Sequence, residues 1–177
     1  MRWTIDPTHS SIEFSVRHLG LATVKGRFRT FEAFAEVSDE GRLHKIEAVI
    51  DALSVDTGTK ERDDHLRSPD FFDAAKYPEI RFVSTALKAL GGNRTEVTGN
   101  LTLHGVTYPV GFTLEQSAPV KDPWGNTRVA VSAGGSLNRK DWGLSWNQAL
   151  ELGGVVVSEE VKFSIEAEVL VAEVVAA

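Results

Sequence analysis

Apolar residues fall on every second position along most of this chain, and that period restricts it to strands with one buried face. Between Ser11 and His18, Ile12, Phe14, Val16 and His18 share one face, with Ser11, Glu13, Ser15 and Arg17 on the other. Val155–Val171 repeats the pattern through Val161, Phe163, Ile165, Ala167, Val169 and Val171. Leu43–Leu53 does so through Ile46, Ala48, Ile50 and Ala52, Glu79–Leu87 through Ile80 and Phe82, and Thr127–Leu137 through Val129, Val131 and Ala133. Leu101 and Leu103 lead into a turn at His104-Gly105, and Val106, Tyr108, Val110, Phe112 and Leu114 return from it, which reads as a hairpin. In Thr23–Val37 the aromatic parity slips between Phe28 and Phe31, which predicts a β-bulge. About eight strands result. An open sheet of that size leaves exposed edges, and closure removes them. The expected fold is therefore all-β: one domain over 1–177, an antiparallel up-and-down barrel of about eight strands, with the C-terminal strand paired back onto the first strands.

Two stretches break the period. Ser54–Phe82 reads as two short helical turns, a lid over about 59–77. Thr59 is placed to cap the first turn, with Glu61 and Asp63 near the positive end of its dipole. Pro69 ends that turn and leaves Ser68 to cap a second. Phe71, Phe72 and Tyr77 are three aromatics in an otherwise charged segment, and they are expected to point inward. In the second stretch, Asn138–Leu152, Trp142 and Trp146 stand four residues apart, as in a helical turn or an ordered loop. Arg139 and Asp141 are expected to pair there.

A barrel of this size either fills with side chains or holds one small ligand, so its inward residues decide. The strands offer Phe14, Val16, Phe28, Ile50, Phe82, Leu101, Leu103, Phe112, Val131 and Phe163, interleaved with the small residues Ala48, Ala52, Gly99, Ala133 and Ala167. Leu66, Phe71, Phe72 and Tyr77 of the lid either plug the remaining volume or line it. Trp142 and Trp146 either cap the mouth or pack as core. The small residues favour a lumen open to a ligand of low polarity. His18 points inward at a strand end. Arg62, Asp63 and His65 form a second polar group, read either as a turn fixing the lid to the rim or, through Arg62 or His65 with Arg17, Arg27 or Arg29 nearby, as contacts to a polar or phosphorylated head group.

Other function classes find little support. A net charge of −6 disfavours nucleic acid or an anionic membrane surface as the main partner, although a local basic patch is compatible with it. With no cysteine there is neither a disulfide nor a thiolate. No stretch approaches the roughly 20 apolar residues of an integral membrane span. The five histidines are far apart and show no metal-ligand spacing, and no cofactor is expected.

Four blocks of sequence resemble the YceI-like family. They are Trp3-x-Ile5-Asp6-x-x-His9-Ser10-x-Ile12-x-Phe14-x-Val16-x-His18, then Arg62-Asp63-x-His65-Leu66-x-Ser68-x-Asp70-Phe71-Phe72-Asp73 with Tyr77-Pro78-x-Ile80-x-Phe82, then Gly99-x-Leu101-Thr102-Leu103-His104-Gly105-Val106-Thr107-x-Pro109-Val110, and Asn138-Arg139-x-Asp141-x-Gly143-Leu144. The resemblance implies a lipocalin-like barrel that binds, stores or transports a polyisoprenoid or similar long-chain lipid without catalysis. The head group, phosphorylated or quinone, would meet His18, Arg17, Arg62 or His65. A homodimer is left open. A strand starting by Arg2 leaves no room for a signal peptide, so the expected location is cytoplasmic for a full-length chain and periplasmic for a mature form. Two alternatives stand beside this reading: a small hydrolase or isomerase using His18 or the Arg62/Asp63/His65 group on an apolar substrate, and a scaffold whose barrel is simply full.

Overall fold

The structure is a computed structural model describing residues 1–151 and 154–172; the expected domain end at 177 and the expected loop end at Leu152 lie outside the described residues. The first three strands of the barrel are each broken into two. β1 (Arg2–Ile5) and β2 (Ser11–His18) flank a turn at Pro7–His9. β3 (Ala22–Phe28) and β4 (Phe31–Val37) flank Arg29-Thr30. β5 (Leu43–Asp51) and β6 (Val55–Asp56) flank a turn at Ala52–Ser54. The single α-helix among the described residues, α1 (Lys60–Arg67), follows, while the second stretch that breaks the period opens on a 3₁₀ turn at Arg139–Trp142. Next come β7 (Glu79–Gly91), β8 (Arg94–Leu103), β9 (Val106–Gln116), the two-residue β10 (Val120–Lys121), β11 (Thr127–Asn138) and β12 (Glu160–Ala172).

Pairing closes the sheet. β12 runs beside both halves of the first strand, Ile5 opposite Val169 and Phe14 opposite Phe163, and beside β11 from Thr127↔Val171 to Asn138↔Glu160. Counting each broken strand once and leaving out the two-residue β10, which pairs only with β11, gives eight antiparallel strands in chain order, a closed up-and-down barrel as expected. The C-terminal strand does pair back onto the first.

Several local expectations need correction. The predicted bulge near Phe28–Phe31 is a full break, because β3 pairs with β2 and β4 with β1, so the strand turns with its broken neighbour. β5 stops at Asp51, whose carboxylate accepts the Leu53 amide and turns the chain. The last strand starts at Glu160, while Val155 and Val157 make only single bridges, to Ala149 and His18. Thr59 does not cap α1 with its side chain. Its hydroxyl lies 3.3 Å from Arg62 Nη2, and Asp63 instead reaches back to accept the Thr57 amide at 2.8 Å and the Thr57 hydroxyl at 2.6 Å. No second helix follows Pro69. Successive turns through Ser68 and Asp73 carry the chain to β7, with Asp73 in the left-handed region at φ +47°.

One end of the barrel, the lid end, carries the β2–β3 turn, the 52–78 segment, the Leu103–Val106 turn and residues 139–151 and 154–159. The other end is closed by Trp3, Val37 and Val129. On the outer wall Arg128 ties three elements: its Nη1 donates to Asp6 at 2.8 Å and Glu168 at 3.0 Å, and its Nε to Asp122 at 2.9 Å.

Candidate functional site

A cavity of about 470 Å³ occupies the lumen, far beyond the water-sized voids of an ordinary protein interior. Three large rings of its wall, Phe82, Phe112 and Phe163, form a chain with centroids 5.7 and 5.8 Å apart. Ala33, Ala35, Ala48, Ala133 and Ala167 alternate with them and leave the volume between. Two aromatic rings lie along the wall because the residue across the ladder is glycine. Phe14 faces Gly26, where an added Cβ would come 2.4 Å from the ring, and Phe163 faces Gly135, where it would come 3.0 Å. Any side chain at those glycines would push a phenyl ring into the lumen.

The structure brings together nearly all the residues expected to line this space. Phe14, Val16, Phe28, Ile50, Leu66, Phe71, Phe72, Phe82, Leu101, Leu103, Phe112, Val131, Trp142, Trp146 and Phe163 border it, as do His18, Arg62 and His65. Tyr77 does not. Its ring packs edge-on against His104 at 5.4 Å and covers Gly105, because the turns after Pro69 carry it outside the barrel end. Arg17 also lies outside, on the solvent face of β2 as its parity dictates, donating to Thr23 Oγ1 and Gly20 O. Ala52 is buried under the lid and not in the lumen, because the strand has already turned there. Gly99 carries the Phe82 ring, where an added Cβ would come 2.4 Å from it.

The lid end is an aromatic plug. Phe71 is 8% exposed, and Phe72 stands edge-on to Phe28 at 5.7 Å. His65 lies between Phe71 at 5.1 Å and Trp146 at 4.8 Å, and its Nε2 donates to Asp70 at 2.9 Å. The expected Arg62/Asp63/His65 group is split. Arg62 and Asp63 both converge on Thr57, Arg62 giving Nε to its hydroxyl at 2.7 Å and Nη2 to its carbonyl at 2.8 Å, while His65 faces away to Asp70. Arg62 borders the cavity, and its Nη1 makes no hydrogen bond among the described residues.

Arg139 is the residue that sequence reasoning misplaced most. It does not pair with Asp141. At 6% exposure it donates to Ser158 O, Leu144 O and Val157 O, stapling the loop that carries Trp142 and Trp146 to the start of β12. Burial depresses its pKa, with Glu159 nearby opposing. No local signal marks an arginine for a cage of backbone carbonyls that only the folded loop creates. Ile12, Val161, Ile165 and Val169 also line the cavity; their alternation was visible, and a closed barrel directs that whole face inward.

All the cationic and imidazole side chains bordering the cavity, His18, Arg62, His65 and Arg139, sit toward the lid end. Toward the other end the polar lining is neutral, Gln116 and the indole N–H of Trp3, which has no hydrogen-bond partner among the described residues. Asp6, His9 and Glu168 gather three ligand atoms outside the barrel, but Arg128 donates to both carboxylates and fills the place of a cation. Asp64 is likewise engaged by Lys60 and Arg67.

A family model described as YceI-like domain matches residues 3–169. A UPF0312 protein of Staphylococcus aureus is 36% identical over 174 residues, covering 97% of this chain and 98% of that protein. Among solved structures, BcnA of Burkholderia cenocepacia matches with a TM-score of 0.80 at 22% identity, over 93% of this chain and 98% of that one. A polyisoprenoid binding domain from Saccharophagus degradans, implicated in plant cell wall breakdown, matches with a TM-score of 0.72 at 21% identity, over 96% and 98%. At these identities the two structures bear on the fold.

Proposed function

The chain belongs to the YceI-like family, and from that premise we propose that it binds a long-chain polyisoprenoid-like lipid in its barrel without catalysis, as a carrier or reservoir. The observation that carries this reading is the cavity itself: about 470 Å³, walled by aliphatic and aromatic side chains, with its cationic and imidazole groups toward one end. That volume falls within the range of roughly 300–1,000 Å³ typical of small-molecule sites, and the polarity gradient suits a molecule with an apolar chain and one polar head. The chain lies along Phe82, Phe112 and Phe163. The head group, phosphorylated or quinone, lies at the lid end, where Arg62 Nη1 is the donor left over from the Thr57 contacts.

The cavity weighs against the filled-barrel scaffold. The enzymatic reading loses one of its two candidate sites, since Arg62 and Asp63 are spent on Thr57 and do not face His65, while His18 stays on the cavity wall. Native mass spectrometry of gently purified protein, followed by solvent extraction, tests the proposal. A mass excess that extraction identifies as an isoprenoid is expected. Equal native and denatured masses, together with failure to load any prenyl alcohol or prenyl phosphate, would overturn it.

A further inference from the structure

Residues 14–31 hold Arg17, Lys25, Arg27 and Arg29, one histidine, and no Asp or Glu, in a chain whose net charge is −6. This segment forms most of the β2–β3 hairpin. At its tip, His18-Leu19-Gly20-Leu21, both central residues adopt positive φ, +56° for Leu19 and +66° for Gly20. Such a turn favours Asn-Gly, and a bulky residue in the left-handed region is disfavoured. Leu19 is nevertheless there, 41% exposed, and Leu21 beside it is 79% exposed. A polar residue would satisfy both the turn and the solvent better. Strain and exposure borne together at one spot point to a role outside the folded monomer.

The tip is also the outward continuation of the cavity wall. Val16, His18, Val24 and Val156 line the cavity, and the Leu19 amide donates to Val156 O at 2.8 Å. Arg17 is held next to the tip by Thr23 and Gly20, and among the described residues no carboxylate lies within 4 Å of Arg17 or Lys25. The nearby Glu159 is neutralised by Lys140 at 2.6 Å. At ~3.3 Å per residue, Arg17 stands roughly 7 Å behind Leu19, within the roughly 5–10 Å to which an apolar element enters an interface, and Lys25 stands roughly 13 Å behind Leu21, farther out toward the water.

We propose that the β2–β3 tip docks the protein onto an anionic lipid bilayer, Leu19 and Leu21 entering the acyl layer and Arg17 and Lys25 meeting the phosphates, so that the lid end faces the membrane. The purpose of such docking rests on the lipid-binding reading of the cavity; the docking itself is a property of the tip. The test is flotation with vesicles of phosphatidylcholine alone and of phosphatidylcholine mixed with phosphatidylglycerol. Binding of a fluorescent prenyl alcohol is measured in parallel without vesicles.

Wild-type protein is expected to bind the mixed vesicles, and to bind them less well at high salt or when phosphatidylglycerol is omitted. The double variant Leu19→Asn/Leu21→Ser should lose roughly ten-fold or more in vesicle affinity. Its melting temperature should be equal or higher, since Asn suits the turn, and its prenyl alcohol binding should be unchanged. Arg17→Ser/Lys25→Ser should lose about ten-fold on mixed vesicles alone, each cation contributing near an anionic surface. Trp124→Ser, at an 80% exposed tryptophan on the opposite end, should change nothing. Failure of wild-type protein to float, equal flotation of the tip variant, or an equal loss in Trp124→Ser would overturn the proposal. So would a tip variant that merely converts a dimer to a monomer in sedimentation, which would assign the leucines to a second copy of the chain. Loss of prenyl alcohol binding by wild-type protein that still floats would count against the cavity reading alone.

Discussion

The ring of Phe14 lies flat on the backbone of Gly26, its partner across the β2–β3 ladder, so that a Cβ on Gly26 would stand 2.4 Å from the ring and 2.9 Å from Thr57 Cγ2. Gly26→Ala should therefore turn Phe14 into the lumen. The expected result is a loss of about 1–3 kcal/mol of stability from overpacking, with reduced loading of a long prenyl chain and less effect on a short one. Equal loading of both chain lengths by the variant would show that the ring can move aside.

Phe71 and Phe72 close the lid end from inside. Truncating a buried phenylalanine typically costs ~3–5 kcal/mol. Phe71→Ala and Phe72→Ala should destabilise the lipid-free protein clearly and the loaded protein by less, because ligand filling the space stabilises the folded state. Lipid release should be faster in both. Thermal melts with and without prenyl alcohol, with release rates, decide this; unchanged melts and rates would make the 59–77 segment an outer decoration.

Asp63 and Arg62 are neighbours with separable roles. Asp63, 8% exposed, holds Thr57 by two hydrogen bonds, so Asp63→Ala should lower the melting temperature and leave affinity per folded molecule nearly intact. Arg62→Ala removes the donor facing the cavity and should weaken a prenyl phosphate more than the corresponding alcohol. Calorimetric titration with the two lipids separates the cases, and equal losses for both would remove Arg62 from the head-group site.

Arg139→Met keeps much of the volume and removes the guanidinium. Three carbonyls of the Trp142–Trp146 loop and the 157–158 segment lose their donor, at a cost of about 3 kcal/mol. Denaturant unfolding should register this, and tryptophan fluorescence should shift as Trp146 loosens. A variant as stable as wild type would mean that the loop is held by its aromatics.

Acid should loosen the outer wall. Thr8 and then Arg128 hold Asp6 well below the ordinary carboxylate range, and Arg128 and then Asn126 do the same for Asp122. The unfolded chain, with carboxylates near pKa 4, takes up these protons first as pH falls, so the stabilisation is complete above about pH 5 and drains away on descent. Melting temperature should begin to fall near pH 5 and drop most steeply below about pH 4, the loss continuing past pH 3 because both folded carboxylates are held so low. In Arg128→Met it should start lower and fall less steeply, though not flatly, since Asp56, Asp64 and Glu159 are also held low. Parallel curves would place the acid-sensitive groups elsewhere.

Period-two alternation made the barrel legible, and with it the lumen, because closure leaves one strand face nowhere else to go. Phe14, Phe82, Phe112 and Phe163 could be read directly from parity. Tyr77 could not, since aromaticity says that a ring hides but not where, and the turns that carry it to His104 follow no period. Arg62, Asp63 and His65 are adjacent in sequence, which invited a shared role, yet their partners Thr57 and Asp70 pull them apart. Arg139 was opaque for the same reason: its acceptors are backbone carbonyls, which carry no residue identity.

The last strand, Glu160–Ala172, contributes one wall of the lumen and closes both open edges at once, against β1 and β2 on one side and β11 on the other. While the chain is being synthesised, the first seven strands thus emerge with no enclosed volume and two unpaired borders, and the container comes into being only with residues 160–172. Contacts such as Ile5↔Val169 join opposite ends of the polypeptide, and pairings that distant form slowly. Any lipid held inside can be enclosed only once residues 160–172 have paired on both sides, and a chain cut short before residue 160 would be an apolar trough, sticky along both rims.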